Sequence, residues 1–507
     1  MGKRWAWLVG PVLLAALAYA NALHNPFVYD DHRMVVDNPS LRDLSNPLFV
    51  LVFQPFRPAV NVSYALDHAL FGLDPFGYHL TSLFLHCLDT ALLSCLIAGI
   101  GAGRSPRAGE PPAPGPEVAA FAAALFAVHP MATESVGYVA GRAEVLCATF
   151  ALSSLLCFQR ALAAAPGRAR RLRVAGGVAS FGLALACKEV AAMLPAAILL
   201  YDLIFLPADD PGRRRRALRL YAPLFALLAA GAWARLHLYR SLEAPERDLD
   251  VARNLLTQSG VVWRYLRLFL LPLGQSVVHE VAEVTSLQDL PAAWGAFAAL
   301  GLAGVALLAW RARRREPAVA FGALWFLAML LPSSLIPLPE LAAEHRTYLA
   351  SAGLFLALAS LLAAGLRAAA LRPARARAVA WVGALSLLLL LGGLTAARNR
   401  VWSDPVRLWA DALRNAPTVF APHYQLAEAL RERGDCAAAV AHYEHAVALV
   451  PSYLDARNNL GVCLAQTGRL DDARRAFQAA LARDPAYPRA RNNLRTLAEL
   501  EASRAGP

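Results

Sequence analysis

The sequence predicts an all-α protein: a polytopic membrane bundle of about 11 to 12 transmembrane helices, followed by a short helical-repeat arm. Three observations carry that prediction. Of 507 residues, 57% are hydrophobic, with a mean hydropathy of +0.41, well above a soluble average. Arginines gather between long apolar runs. Near the C-terminus, Pro417, Pro451 and Pro485 recur every 34 residues.

The net charge of +12 would suggest nucleic acid in a soluble protein. Here it reports membrane topology, so no nucleic-acid partner is expected. Lysine occurs only at Lys3 and Lys188. The seven cysteines fall mostly inside apolar runs and read as neither a disulfide framework nor a metal cluster. The N-terminal apolar run, Trp5 to Ala22, looks like a signal peptide. Its continuation into further spans makes it an uncleaved first helix.

The expected spans are 6–22, 78–100, 118–129, 143–163, 172–187, 189–206, 218–238, 291–310, 317–336, 347–366 and 378–397, each near the length that crosses about 30 Å of hydrocarbon. Residues 254–275 are apolar but carry Arg264 and Arg267. They read as interfacial or re-entrant, and whether they span is open. Four arginine clusters fall on the side of Lys3 and Arg4: Arg160 to Arg173, Arg213 to Arg219, Arg311 to Arg315 and Arg367 to Arg377. By the charge rule that side is cytoplasmic. The loop 24–77 and everything after 398 then lie outside.

Residues 1–397 form the membrane domain and 398–507 the repeat domain. The 34-residue period is that of tetratricopeptide repeats, here about 418–451 and 452–485. Leu426/Leu460, Ala439/Ala473, Tyr443/Phe477 and Ala446/Ala480 occupy matching slots. Asp404 and Pro405 read as cap and first residue of a preceding helix. Gln425, Asn459 and Asn493 also recur at this period. They are candidates to bind the backbone of an extended acceptor peptide; the alternative is that the slot takes amides for helix packing.

The outer loops carry the remaining polar groups. "NPFVYDDHRMVVDNPSLRD" sets Asp30 beside Asp31 at the root of the first loop, and the rest of that loop adds Arg57, Asp67, His79 and His86. "HPMATESVGYVAGRAE" brings His129, Glu134, Arg142 and Glu144. "CKE" places Lys188 and Glu189 between two apolar runs, and "PLPELAAEHRTYLAS" supplies Glu340, Glu344, His345, Arg346 and Tyr348. Each has a bland alternative: solvated loop acids, packed histidines seven residues apart, or an interfacial Lys188–Glu189 ion pair. Ionisable groups at membrane depth are costly, which favours a role. The histidines lack metal-ligand spacing such as HExxH, so no metal is expected.

In this order, "FVYDDHRMVVDNP", "FRPAVNVSYALDHALFGLDPFGYHLTSLFLH", "HPMATESVGYVAGRAEVL", "KEVAAMLPAAILLYDLIF" and "EHRTYLAS", followed by the repeats, resemble the transmembrane and tetratricopeptide-repeat-containing (TMTC-type) family over nearly the whole chain. That family sits with the GT-C glycosyltransferases, polytopic enzymes that take sugar from a polyprenyl-phosphate carrier. The resemblance implies a GT-C-like bundle and an inverting transfer of a sugar, mannose among the candidates, to a hydroxyl acceptor, with protein Ser/Thr the expected one. It also implies an extracytoplasmic reaction in a multi-pass protein of a bacterial inner membrane. About two full repeats stand where animal members carry many more.

The resemblance places the family's acidic pair at Asp30 and Asp31, one as base and the other orienting acceptor or sugar. Arg346, Lys188, Arg57 and His345 become candidates for the donor phosphate. Glu134, Arg142, Glu189 and His79 are further active-site candidates. The implied partners are a polyprenyl-phosphate-linked sugar, a protein or peptide acceptor and membrane lipid, with no cofactor. The competing reading is a non-catalytic membrane-anchored scaffold. A transporter is disfavoured because the acids lie in outer loops rather than at broken helices.

Overall fold

The structure, a computed structural model, describes residues 2–100, 113–206, 221–242, 250–369 and 373–505. The arginines at 213–216, 219 and 372 lie outside the described residues. Among those described the protein is helical throughout, with no strand. It divides into two compact units. One comprises Met1–Gln275 and Val281–Trp402, the other Ser276–Glu280 and Ser403–Pro507.

The first unit is built around α4 (Pro75–Ala98) and α5 (Pro116–Val128), against which α1 (Gly2–Tyr19), α7 (Arg142–Leu162) and α14 (Tyr348–Ala368) pack. Alanine is the commonest residue of α5, and nine of its thirteen residues are buried. Small side chains let the surrounding helices come close. The same device joins α13 (Pro317–Leu335) to α14: a Cβ on Gly322 would lie 2.3 Å from the Gly353 carbonyl. Proline at the first helical position starts α4, α5 and α13, where no backbone donor is lost.

Each of the eleven expected spans is helical in its described part. Among the described residues six helices are long and apolar enough to cross a bilayer. The pair Pro116–Val128 and Pro130–Val136, bent by 54°, makes a seventh if it counts as one span. The other expected spans are shorter or more polar. Arg168, Arg170, Arg171 and Arg173 occupy the start of α8 (Arg168–Leu185), and α9 (Leu194–Phe205) has only 12 residues. On α12 (Leu290–Ala312), Leu290, Phe297 and Leu300 are 70–72% exposed. Apolar area of that kind is stable against lipid rather than water. The protein is a multi-pass membrane protein.

Residues 251–270 form one unbroken helix, α11 (Val251–Leu270), capped by the Asp250 side chain. Its buried face is polar in the first half (Asn254, Thr257, Gln258 and Ser259) and apolar in the second (Val261, Val262, Leu268 and Phe269), whereas Leu270 at its end and Leu271 and Leu273 just beyond are exposed. Such a two-faced helix suits an interface better than a bilayer crossing.

The second unit holds α16 (Pro405–Asn415), α17 (Phe420–Glu432), α18 (Cys436–Leu449), α19 (Leu454–Gln466), α20 (Leu470–Arg483) and α21 (Pro488–Ala505). Asp404 and Asp435 cap α16 and α18. Ala439, Ala473, Tyr443 and Phe477 are buried, as the repeat register requires. A Cβ on Gly461 would lie 2.5 Å from Phe477, so this slot excludes any larger residue. Gly434 and Gly468, at φ 88° and 83°, end the first helix of each repeat in a conformation that glycine takes freely. One expectation is corrected: Cys436 and Cys463 form a disulfide between α18 and α19. They are brought together by packing between repeats, which no cysteine spacing reveals.

Candidate active site

The opening loop turns sharply at Tyr29, whose φ of 53° is the only left-handed non-glycine conformation among the described residues. Such a backbone costs about 1–3 kcal/mol and persists only where surrounding contacts hold it. The turn sends two consecutive carboxylates to different places. Asp31 is fully buried and accepts backbone N–H bonds from Val28 (3.1 Å) and Ala140 (2.7 Å). Burial pushes its carboxyl up to about 8, with the Val28 and Ala140 donors pulling the other way. Asp30 is half-buried. Its N–H donates to the Tyr138 hydroxyl at 3.0 Å. Burial raises its carboxyl above the ordinary range, opposed by Arg33, Arg57 and a hydrogen bond from Tyr138.

The segment 133–142, "TESVGYVAGR", contacts both aspartates and His345. Its Glu134 holds His345 twice, through Nδ1 (2.7 Å) and the backbone N–H (3.2 Å). Tyr138 meets Asp30, and Ala140 meets Asp31. The segment folds tightly on itself because position 141 is glycine; a Cβ there would sit 2.3 Å from the Glu134 carbonyl. Arg142 anchors its end. The guanidinium, fully buried, pairs with Asp67, donates to the Tyr78 carbonyl (2.6 Å) and Ser82 (3.3 Å), and lies 4.8 Å from the Tyr64 ring centre.

Opposite stands the turn Glu344–Thr347. His345 Nε2 is 4.0 Å from Glu144, which itself pairs with Lys188. Arg346 Nη2 is 4.0 Å from Glu340, and Arg346 Nη1 is buried without a hydrogen-bond partner. Glu340 also accepts from the Tyr29 hydroxyl at 3.4 Å. Its carboxyl is raised by burial and feels His345, Glu134, Arg346 and Asp30. The two halves of the site therefore share one electrostatic neighbourhood.

Helix α11 clamps this turn: Tyr265 bonds both the N–H and the carbonyl of Ala343 at 2.9 Å, and Gln258 donates to the Leu341 carbonyl at 2.7 Å. From below, Tyr348 bridges His86 (2.7 Å) and Asp89 (3.0 Å).

The structure thus brings Asp30, Asp31, Arg57, Glu134, His345 and Arg346 to one region. It gives Arg142 a packing job, because its donors are already engaged. Lys188 is buried and paired with Glu144 rather than with Glu189, which is half-buried. His79 is buried, bonded to the Asn25 carbonyl at 3.0 Å. Tyr29, Arg33 and Tyr138 were missed as site residues. Tyr138 lies inside "HPMATESVGYVAGRAE", but its uncharged side chain carries no chemical signal in the sequence. Among the described residues no group of three or more His, Cys, Asp or Glu could hold a metal.

In the repeat arm the amides face one another. Asn493 donates to Asn458 (2.9 Å), Asn458 to Asn459 (3.0 Å), and Asn459 to Glu428 (2.6 Å). Glu428 also accepts from Tyr443 and Arg431. Gln425 is half-buried and stands outside this ladder.

Residues 424–500 match the tetratricopeptide-repeat family. Human protein O-mannosyl-transferase TMTC1 is 25% identical across 89% of this chain and 56% of its own length. Tmtc2 of Drosophila melanogaster is 27% identical over 51% of this chain and 27% of its own. The tmtc2 protein of Xenopus laevis is 32% identical over 29% and 18%. The chain spans little more than half the length of the curated relatives it matches. Among solved structures, ArnT from Cupriavidus metallidurans bound to undecaprenyl phosphate superposes at a TM-score of 0.43 with 18% identity, covering 93% of this chain and 80% of that one.

Proposed function

We propose, from the premise that the chain belongs to the TMTC-type family, that it is a membrane glycosyltransferase. It moves a sugar, mannose first among candidates, from a polyprenyl-phosphate carrier to the hydroxyl of a protein Ser/Thr acceptor on the extracytoplasmic side. The observation that carries this reading is the pairing of a half-buried Asp30 with a buried, unpartnered donor on Arg346 in one electrostatic neighbourhood. Asp30 takes the acceptor's hydroxyl proton as its oxygen bonds to the anomeric carbon. The bond from that carbon to the carrier's phosphate oxygen breaks, and the electron pair leaves with the lipid phosphate. Attack opposite the leaving group inverts the anomeric centre. Arg346 and Arg57 receive the growing phosphate charge, because Lys188 and Arg142 are already paired. Asp31 keeps the loop in place. With two guanidinium groups available, the transfer needs no metal.

The Cys436–Cys463 disulfide supports an extracytoplasmic arm, since disulfides persist in oxidising compartments. Purified protein should transfer mannose from a polyprenyl-phosphate carrier to a Ser/Thr peptide, with inversion seen by NMR and unchanged turnover in EDTA. Absence of transfer from any polyprenyl-phosphate sugar would leave a membrane-anchored scaffold in its place.

A further inference from the structure

We infer that Tyr138 is a positioning residue for the proposed reaction, its hydroxyl orienting Asp30 from a ring held in place by Trp402. This rests on Asp30 being the base. The Tyr138 ring stacks on Trp402, with centroids 5.1 Å apart and planes at 25°. Trp402 is 1% exposed and Tyr138 is 5% exposed, so neither ring has room to swing. The chain on the far side of Tyr138 is pinned as well. Tyr64 donates to the Val139 carbonyl at 2.9 Å, and the Ala140 N–H is held by Asp31.

Trp402 is placed with equal care. Its backbone N–H donates to the Asn399 carbonyl at 3.2 Å. That carbonyl also accepts from the Asn25 side chain at 3.1 Å, and the Asn399 side chain donates to Ala18 and Asn21. The end of α15 (Pro373–Asn399) is thereby tied to the root of the loop that carries Asp30. Tyr138 stands between them.

The hydroxyl accepts from the Asp30 N–H at 3.0 Å and acts on the adjacent carboxyl in the direction that favours its ionised form. One side chain thus holds the backbone of Asp30 beside its carboxyl, next to the left-handed Tyr29. The charged and titratable groups facing Asp30 are Asp31 and Tyr29 beside it, Arg33 on the following turn, Arg57 before α3 (Pro58–Phe71), Tyr138, and Glu340. Of these Tyr138 is the uncharged group hydrogen-bonded to Asp30. Removing its hydroxyl leaves every formal charge in place.

The test is Tyr138→Phe in the full-length protein, with Asp30→Asn and the parent beside it. Loss of one donor to a carboxylate should lower kcat about 10-fold and move the acid limb of the kcat–pH profile up by about one pH unit. KM for the lipid-phosphate donor and the thermal midpoint should stay at parent values. 3-Fluorotyrosine at position 138, a stronger donor of nearly the same size, should move the limb downward; it serves if the phenylalanine variant folds poorly. An inactive Asp30→Asn with unmoved limbs in both Tyr138 variants would overturn the positioning role alone. A fully active Asp30→Asn would overturn the proposed base instead.

Discussion

The site in the membrane body and the half-buried ladder in the repeat arm are both polar networks, yet they are assembled differently. In the body, partners come from distant parts of the chain: Asp30 meets Tyr138 across 108 residues, and His345 meets Glu134 across 211. In the arm, Asn459 meets Glu428 across 31 residues and Asn493 meets Asn458 across 35, close to one repeat. The body's network leaves two reactive groups unsaturated, a half-buried Asp30 and the Arg346 Nη1. The arm's network hands each donated hydrogen bond to the next amide. A network with loose ends can act on a ligand, whereas a closed one holds helices together.

The sharpest way to break this contrast lies within the acidic pair. Asp30→Asn should lower kcat by about 10²–10⁴-fold at unchanged thermal stability, the usual scale for a lost base. Asp31→Asn should instead lower the yield and midpoint of folded protein, because an amide cannot accept both backbone N–H groups. Equal behaviour of the two variants would erase the division of labour. The pH dependence of stability sharpens it. The folded protein keeps a proton on Asp31 that an unfolded chain releases near the ordinary carboxyl range, about pH 4. That contribution is fully present below about pH 4 and is lost as pH rises through about 8. Unfolding of the parent in detergent should therefore become easier between these limits, and the slope should be shallower in Asp31→Asn.

The cations give the next largest effect. Lys188→Ala strands a buried Glu144 and should cost about 3–5 kcal/mol of stability, recovered in part by removing Glu144 as well. Arg346→Ala should leave stability nearly unchanged and weaken binding of the polyprenyl-phosphate donor by about 1–3 kcal/mol. Donor titrations and melting curves on the two variants read these apart; a stable Lys188→Ala with weakened donor binding would return that lysine to the phosphate site.

A smaller effect belongs to the arm. Asn459→Ala and Asn493→Ala each break the amide ladder and should lower arm stability by about 0.5–1.5 kcal/mol. Transfer to a short hydroxyl-bearing peptide should be unaffected. If KM for a long protein acceptor rises while stability holds, the amides contact substrate as well as each other.

Compartment can be read without perturbing either network. Cysteines placed at Ser45 and Glu432 should react with an impermeant thiol reagent added outside, and one at Arg314 only after permeabilisation. All three positions are exposed. In the parent protein, Cys436 and Cys463 should alkylate only after reduction. Ready labelling of both without reductant would remove the support for an extracytoplasmic arm.

Much of this was legible in the sequence because it depends on local periodicity. Apolar runs must be helical to satisfy their backbone in lipid, and the 34-residue repeat marks helices that can bury a face only against their copies. Those rules placed the apolar helices, the capped α16 and the buried slots at Ala439 and Ala473. The acidic pair and the EHRTY turn were legible too, as charges where charge is expensive. Tertiary structure alone decided which carboxylate stays open, since a single left-handed residue at Tyr29 turns Asp31 inward and leaves Asp30 half-buried. It also decided that Lys188 pairs with Glu144, that Arg142 is saturated by Asp67, Tyr78 and Ser82, and that Cys436 finds Cys463. These outcomes rest on distances between segments remote in the chain. Spacing along a sequence reports which face of a helix a residue occupies, but not which other helix that face will meet.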